Sequence, residues 1–129
     1  MSIKWGVLGT ANVADWGVLP GMKQAQGCQL YAIAGRNEEK VKRYCDKFGI
    51  EKGYVGYDAL LDDKEVEAIY IPLPNSLHYE WVIKALEAGK HVLCEKPLAI
   101  NAQEAAIMFE TAKKNNRILA EAYAYLHSP

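Results

Sequence analysis

Gly6-Val7-Leu8-Gly9-Thr10-Ala11-Asn12-Val13-Ala14 closes one short apolar run and opens the next element, and its reading decides the fold. A strand that turns on glycine straight into a helix begins a βαβ unit. A dinucleotide site there needs a glycine for the tight turn, a small residue where the pyrophosphate meets the backbone, and another where helix packs on strand. Gly9, Ala11 and Ala14 take these places, so the second departs from glycine by one methyl. The candidate cofactor-binding residues of the turn are Gly9, Thr10, Ala11, Asn12 and Val13. On this motif alone, a tight turn with no ligand is the competing reading.

Outward from this turn, three segments repeat one helical template with apolar residues at i, i+3, i+4 and i+7. They are Val41, Tyr44, Cys45 and Phe48; Tyr79, Val82, Ile83 and Leu86; and Ala105, Met108, Phe109 and Ala112. Each predicts an amphipathic helix with one buried face. Gly49 and Gly89 follow the first two as left-handed C-terminal caps, Asn101 with Glu104 opens the third, and Asn37 reads as a further N-cap. Short β-rich runs lie between: Lys4 to Leu8, Gln29 to Ala34, Tyr54 to Val55, Ala68 to Ile71, His91 to Cys94, and Ile118 to Ala122. Strand and helix alternating through short connections predict a single α/β domain of the Rossmann type, a doubly wound, mostly parallel sheet with helices on both faces. Unbroken apolarity in Ala68-Ile69-Tyr70-Ile71 predicts burial on both sides. A helix is expected to start near Asn12, although Pro20 and Gly21 cut it.

Composition agrees. The chain has 129 residues, 15 basic against 16 acidic, and a net charge of −1. That balance excludes a strongly basic nucleic-acid binder and an acidic solvating tail. No apolar stretch is long enough for a membrane span and no secretory signal is legible. Cys28, Cys45 and Cys94 are widely spaced, with no second Cys or His at metal-ligand distance, so free thiols in a reduced cytosol and no metal site are expected.

In a doubly wound sheet, ligands bind beyond the carboxyl ends of the strands. After the second strand, an NAD site would place Asp or Glu on the adenosine ribose, about 20 residues past the last small residue of the turn. Here stand Gly35-Arg36-Asn37. A guanidinium pairs with a 2′-phosphate and stacks on adenine, so Arg36, with Asn37 beside it, favours NADP(H) and leaves NAD(H) as the alternative. A solvated Arg36 is the plainer reading. After the fourth strand, Pro72-Leu73-Pro74-Asn75-Ser76-Leu77-His78 is a stiff extended loop, whose Asn75 or Ser76 is also a good N-cap. Taken in isolation, His78 reads as a surface residue. After the fifth, Glu95-Lys96-Pro97 places a lysine where it can hydrogen-bond a substrate hydroxyl and lower its pKa, or simply face water.

These residues together, Gly6-x-x-Gly9-x-Ala11-x-x-Ala14, Pro74-Asn75-Ser76-x-His78, and above all Gly89-Lys90-His91-Val92-x-x-Glu95-Lys96-Pro97, resemble the Gfo/Idh/MocA oxidoreductase family from about Ile3 to Tyr125. The resemblance implies that Lys96 contacts the nicotinamide ribose and the substrate as the catalytic residue, that Pro97 fixes its turn, and that Asn75 and His78 lie beside the nicotinamide ribose and ring. Pro72, Leu73, Pro74 and Glu95 complete the candidate cofactor-binding set. Family members continue into a second α/β domain that supplies much of the substrate pocket, usually the general acid/base, and commonly the oligomer interface. Residues 1–122 are thus expected to form the NAD(P)-binding domain and 123–129 to begin the connection to the second.

The expected activity of the longer enzyme is exchange of a hydride between NADP(H) and a carbinol or carbonyl carbon of a sugar, cyclitol or related small molecule; these 129 residues alone would bind nucleotide without turnover. An NADP(H)-binding redox sensor is the alternative. A methyltransferase is disfavoured because Arg36 stands where such a site wants an acid. No nucleic-acid or membrane partner is expected, the location is cytoplasmic, and the face meant for a second domain would let the chain self-associate. Trp16, Tyr123 and His127 are expected in core packing or a loose end rather than at the substrate.

Overall fold

The computed structural model describes residues 3–10, 27–95 and 98–122. Ala11 to Ala14, the helix expected after Asn12, Trp16, Lys96, Pro97, Tyr123 and His127 lie outside the described residues. Six strands, β1 (Ile3–Leu8), β2 (Cys28–Gly35), β3 (Lys52–Val55), β4 (Ala68–Ile71), β5 (His91–Glu95) and β6 (Leu119–Ala122), form one sheet in the order β3-β2-β1-β4-β5-β6. Every neighbouring pair is parallel. The chain moves outward from β1 to β3 and then returns to β4 on the other side of β1. The order therefore reverses between β1 and β4, which opens the crevice that this architecture uses for ligands.

Among the described residues, four α-helices lie between the strands: α1 (Glu38–Phe48), α2 (Tyr57–Leu61), α3 (His78–Glu87) and α4 (Ala102–Lys114). The caps fall as the sequence predicts. Asn37 Oδ1 accepts from the Lys40 N–H at 3.0 Å, Asn101 Oδ1 accepts from the Glu104 N–H at 2.8 Å, and Gly49 and Gly89 are left-handed at φ 66° and 84°. The five-residue α2 has no counterpart in the sequence reading, because its length is too short for helical periodicity to register.

The sheet separates two apolar clusters. Val7, Leu30, Ile33 and Tyr70 join Val41, Tyr44 and Phe48 of α1 on one face; Leu8, Ile69, Ile71 and Cys94 join residues of α2, α3 and α4 on the other. All four residues of β4 are buried, as their apolarity predicts. One expectation fails beside the sheet's outer strand: Phe109, on the predicted apolar stripe of α4, is 49% exposed. A helix packed on one edge strand and one neighbouring helix buries a narrower stripe than a helix over the sheet centre, so Met108 and Ala112 carry the α4 contact.

One polar anchor holds the end of the sheet opposite the crevice. Lys90 is 5% exposed, and its Nζ donates to the carbonyl oxygens of Asp63 and Val66, each at 2.7 Å. Burial lowers its pKa, and the nearby Asp63 and Asp62 charges act against that. Lys90→Met leaves two carbonyls short of a charged donor, so it is expected to cost about 2 kcal/mol, read as a lower urea midpoint at an unchanged m-value.

Candidate functional site

The turn after β1 meets both neighbours at the crevice. The Gly9 N–H donates to the Ala34 carbonyl at 2.7 Å, and Gly9 takes φ +116°, a conformation that L side chains rarely adopt. A Cβ there would stand 2.9 Å from Leu73 Cδ2. Gly9 is thus required twice, for its backbone and for the space that Leu73 fills. Thr10 follows, its carbonyl accepting from the Tyr44 hydroxyl at 3.2 Å and its methyl packed against Gly35, so β1 and β2 end flush.

At the end of β2, Gly35 is buried and Arg36 and Asn37 are exposed. The Gly56 N–H donates to the Gly35 carbonyl at 2.8 Å and brings the start of α2 to this corner. Burial raises the Tyr57 hydroxyl pKa, and the Arg36 charge acts against that rise. Tyr57 meets Trp81 edge to face at 5.0 Å. No carboxylate occupies Gly35, Arg36 or Asn37, and the acidic residues that follow, Glu38 and Glu39, are in the first turn of α1.

The loop after β4 is divided. Pro72 and Leu73 are buried, whereas Pro74 and Asn75 are exposed. Asn75–Leu77 is a short 3-10 turn, and neither it nor α3, which starts at His78 behind Leu77, has a side-chain cap. The capping expected of Asn75 or Ser76 is therefore not made. Pro74 holds the chain extended at φ −56° and ψ 150°, and the 3-10 turn takes up the residues before the helix begins. His78 is no surface residue: it is 1% exposed, with Nε2 2.6 Å from the Leu73 carbonyl. A carbonyl only accepts, so Nε2 carries the proton. The imidazole thereby braces the same Leu73 that packs on Gly9.

At the end of β5, Glu95 is 9% exposed and its carboxylate accepts from the Tyr70 hydroxyl. Tyr70 is fully buried; burial first, and the Glu95 bond second, push its pKa far up, so the hydroxyl remains a donor at any ordinary pH. Burial, with the Glu95 and Glu121 charges, also pushes the Cys94 thiol up to about 12, which makes it an inert packing group. Beyond β5, the Leu98 N–H donates to Glu121 Oε2 of β6 at 2.7 Å. The sequence reading missed Tyr70 and Glu121. The signal available was a hydroxyl in Ala68-Ile69-Tyr70-Ile71 and a carboxylate in Leu119-Ala120-Glu121-Ala122, each in an apolar setting.

Gly9, Thr10, Arg36, Asn37, Pro72, Leu73, Pro74, Asn75, His78 and Glu95 thus stand at the carboxyl ends of β1, β2, β4 and β5, along one edge of the sheet. Among the described residues, no group of three His, Cys, Asp or Glu side chains could hold a metal ion, and no helix is long and apolar enough to cross a membrane.

A parallel sheet that reverses its order beside a glycine turn defines a nucleotide-binding domain of the Rossmann class. Within that class the chain belongs to the Gfo/Idh/MocA oxidoreductase family, whose NAD-binding Rossmann-fold model matches residues 3–123. It is 42% identical over 125 residues to the D-xylose 1-dehydrogenase (NADP(+)) 2 of Haloferax volcanii, covering 97% of this chain and 38% of that protein. It is 41% identical over 127 residues to the dTDP-3,4-didehydro-2,6-dideoxy-alpha-D-glucose 3-reductase of Actinomadura kijaniata, covering 98% of this chain and 38% of the reductase. Among solved structures, a 3-ketoreductase from Actinomadura kijaniata in complex with NADP and TDP-benzene superposes with a TM-score of 0.95 at 40% identity, over 100% of this chain and 39% of that one. The chain therefore spans well under half the length of these relatives.

Proposed function

We propose that this chain is the NADP(H)-binding part of an oxidoreductase acting on a sugar, cyclitol or related carbinol or carbonyl compound. The observation that carries the reading is the exposed Arg36 at the end of β2, beside a glycine turn and with no carboxylate in its place. A 2′-phosphate there gains charge-assisted hydrogen bonds and meets no repulsion from the ribose position itself. The xylose dehydrogenase, NADP-dependent by name, and the 3-ketoreductase, solved with NADP, support the same cofactor, and the sugars in the names of the xylose dehydrogenase and of the dTDP-3,4-didehydro-2,6-dideoxy-alpha-D-glucose 3-reductase support the substrate class.

In this reading the residues divide the work. Gly9 lets the backbone N–H groups of the turn approach the pyrophosphate, with Thr10, Ala11, Asn12 and Val13 continuing the cradle. Arg36 and Asn37 receive the adenosine end, and Pro72, Leu73 and Pro74 form the stiff wall beneath the nucleotide. Asn75 presents its amide toward the nicotinamide ribose. His78, its Nε2 proton committed to the Leu73 carbonyl, fixes that wall rather than taking a proton from substrate. Lys96 contacts the ribose and polarises the substrate oxygen, Pro97 shapes its turn, and Glu95 anchors the strand before it. The bound cofactor supplies the hydride chemistry.

Residues 1–122 are the binding domain in this proposal and 123–129 the start of a connection to a substrate domain, which would provide the acid/base group and an oligomer interface; the location is cytoplasmic. Calorimetric titration with NADPH and then NADH in one buffer tests the reading. Clearly tighter NADPH binding is expected. Preference for NADH overturns the assignment of Arg36, and no binding of either overturns the site.

A further inference from the structure

We propose that Tyr44 of α1 is a positioning residue: its hydroxyl holds the Thr10 carbonyl and so fixes the glycine turn relative to the adenosine corner at Arg36 and Asn37. The proposal rests on the reading of Gly9 and Thr10 as phosphate-side residues. The helix that carries Tyr44 starts at that corner. Asn37 Oδ1 accepts from the Lys40 N–H and its carbonyl accepts from the Val41 N–H, each at 3.0 Å, so the first turn of α1 is tied to the residue after Arg36. Val41 and Tyr44, one turn apart, both face the sheet and are buried. From there the Tyr44 hydroxyl donates to the Thr10 carbonyl at 3.2 Å.

Thr10 is held from two further sides. The space that a Cβ would take on Gly35 is filled by two methyl groups, Thr10 Cγ2 at 3.0 Å and Val41 Cγ2 at 2.9 Å, and the preceding Gly9 N–H donates to the Ala34 carbonyl at 2.7 Å. A threonine whose methyl is packed has its χ1 set as well. Tyr44 lies in the apolar cluster of Val7, Ile33 and Phe48, where a phenylalanine would pack equally well, so the hydroxyl serves the turn rather than the core. A ligand with a 2′-phosphate and a 5′-phosphate on one adenosine must meet the corner and the turn at once. A rigid helix bonded to both sets their separation before the ligand arrives, and an arrangement set in advance is not charged against binding.

Titration of this chain with adenosine 2′-phosphate, which reaches the corner alone, and with adenosine 2′,5′-bisphosphate, which adds a phosphate for the turn, tests the proposal. The unaltered chain is expected to prefer the bisphosphate. Tyr44→Phe is expected to weaken the bisphosphate and NADPH about fivefold, the bias that one net hydrogen bond exerts, and to leave adenosine 2′-phosphate unchanged. Ile50→Ala loosens the same cluster without touching the donor, and is expected to lower the urea midpoint while keeping the preference. Unchanged bisphosphate affinity in Tyr44→Phe, equal loss of both ligands, or the same lost preference in Ile50→Ala overturns the proposal. The premise is read separately. If the unaltered chain binds both ligands equally, the phosphate role of the turn falls and the role of Tyr44 falls with it; if it prefers the bisphosphate and Tyr44→Phe keeps that preference, the role of Tyr44 alone is refuted.

Discussion

Arg36→Glu is expected to weaken NADPH binding about 100-fold while changing NADH affinity by no more than a few fold. The substitution removes a guanidinium that can form two charge-assisted hydrogen bonds with a 2′-phosphate, and it puts a carboxylate in its place. Arg36 is exposed at the end of β2, and Glu38 and Glu39 already lie in the next turn. A third acidic group would turn that corner repulsive toward a phosphate. NADH carries a ribose hydroxyl there instead, which a carboxylate accepts from, so part of its loss is returned. Stability should change little, since Arg36 contributes no buried contact. The measurement is paired calorimetry, and equal loss of both cofactors would mean that Arg36 reads the adenine or the corner's shape rather than the phosphate.

Gly9→Val is expected to be the most damaging single change at the site, costing at least about 3 kcal/mol of stability and abolishing measurable nucleotide binding. Two effects add. A β-branched residue at φ +116° is strained wherever it stands, and the new Cβ would be 2.9 Å from Leu73 Cδ2. Leu73 is 6% exposed and its carbonyl is bonded to His78, itself buried. Displacing the leucine therefore unseats the loop from Pro72 to Asn75 as well as the turn. Gly9→Ala should give an intermediate loss, since it keeps the clash but not the branching. Urea unfolding beside NADPH titration checks both; native stability in Gly9→Val would show that the turn tolerates a side chain and that Leu73 can move.

Much of this molecule is legible in local chemistry. Asn37, Asn101 and Gly49 announce their caps because a cap is settled within four residues. The glycine turn and the residues at each strand end are readable for the same reason: strand, turn and helix alternate in the chain itself. Asn75 and Ser76 mislead because a good capping side chain does not cap when a rigid Pro74 delays the helix by a 3-10 turn. His78 misleads because histidine is ambivalent toward water, and nothing in its neighbours reveals the Leu73 carbonyl it meets. Phe109 misleads because periodicity identifies a helix's apolar stripe without saying how much sheet lies under it.

The sequence by itself determined that this is a parallel α/β domain, that its strand ends line one edge of the sheet, and that a basic residue, Arg36, rather than an acidic one follows β2. These depend on residue spacing and on backbone rules that hold for any chain. Only the tertiary structure decided that the strand order reverses between β1 and β4, that Leu73 closes on Gly9, and that Tyr70 reaches Glu95 while Glu121 reaches Leu98. Those contacts join residues more than 20 positions apart, and their partners are chosen by strand register and by which face of the sheet each side chain takes.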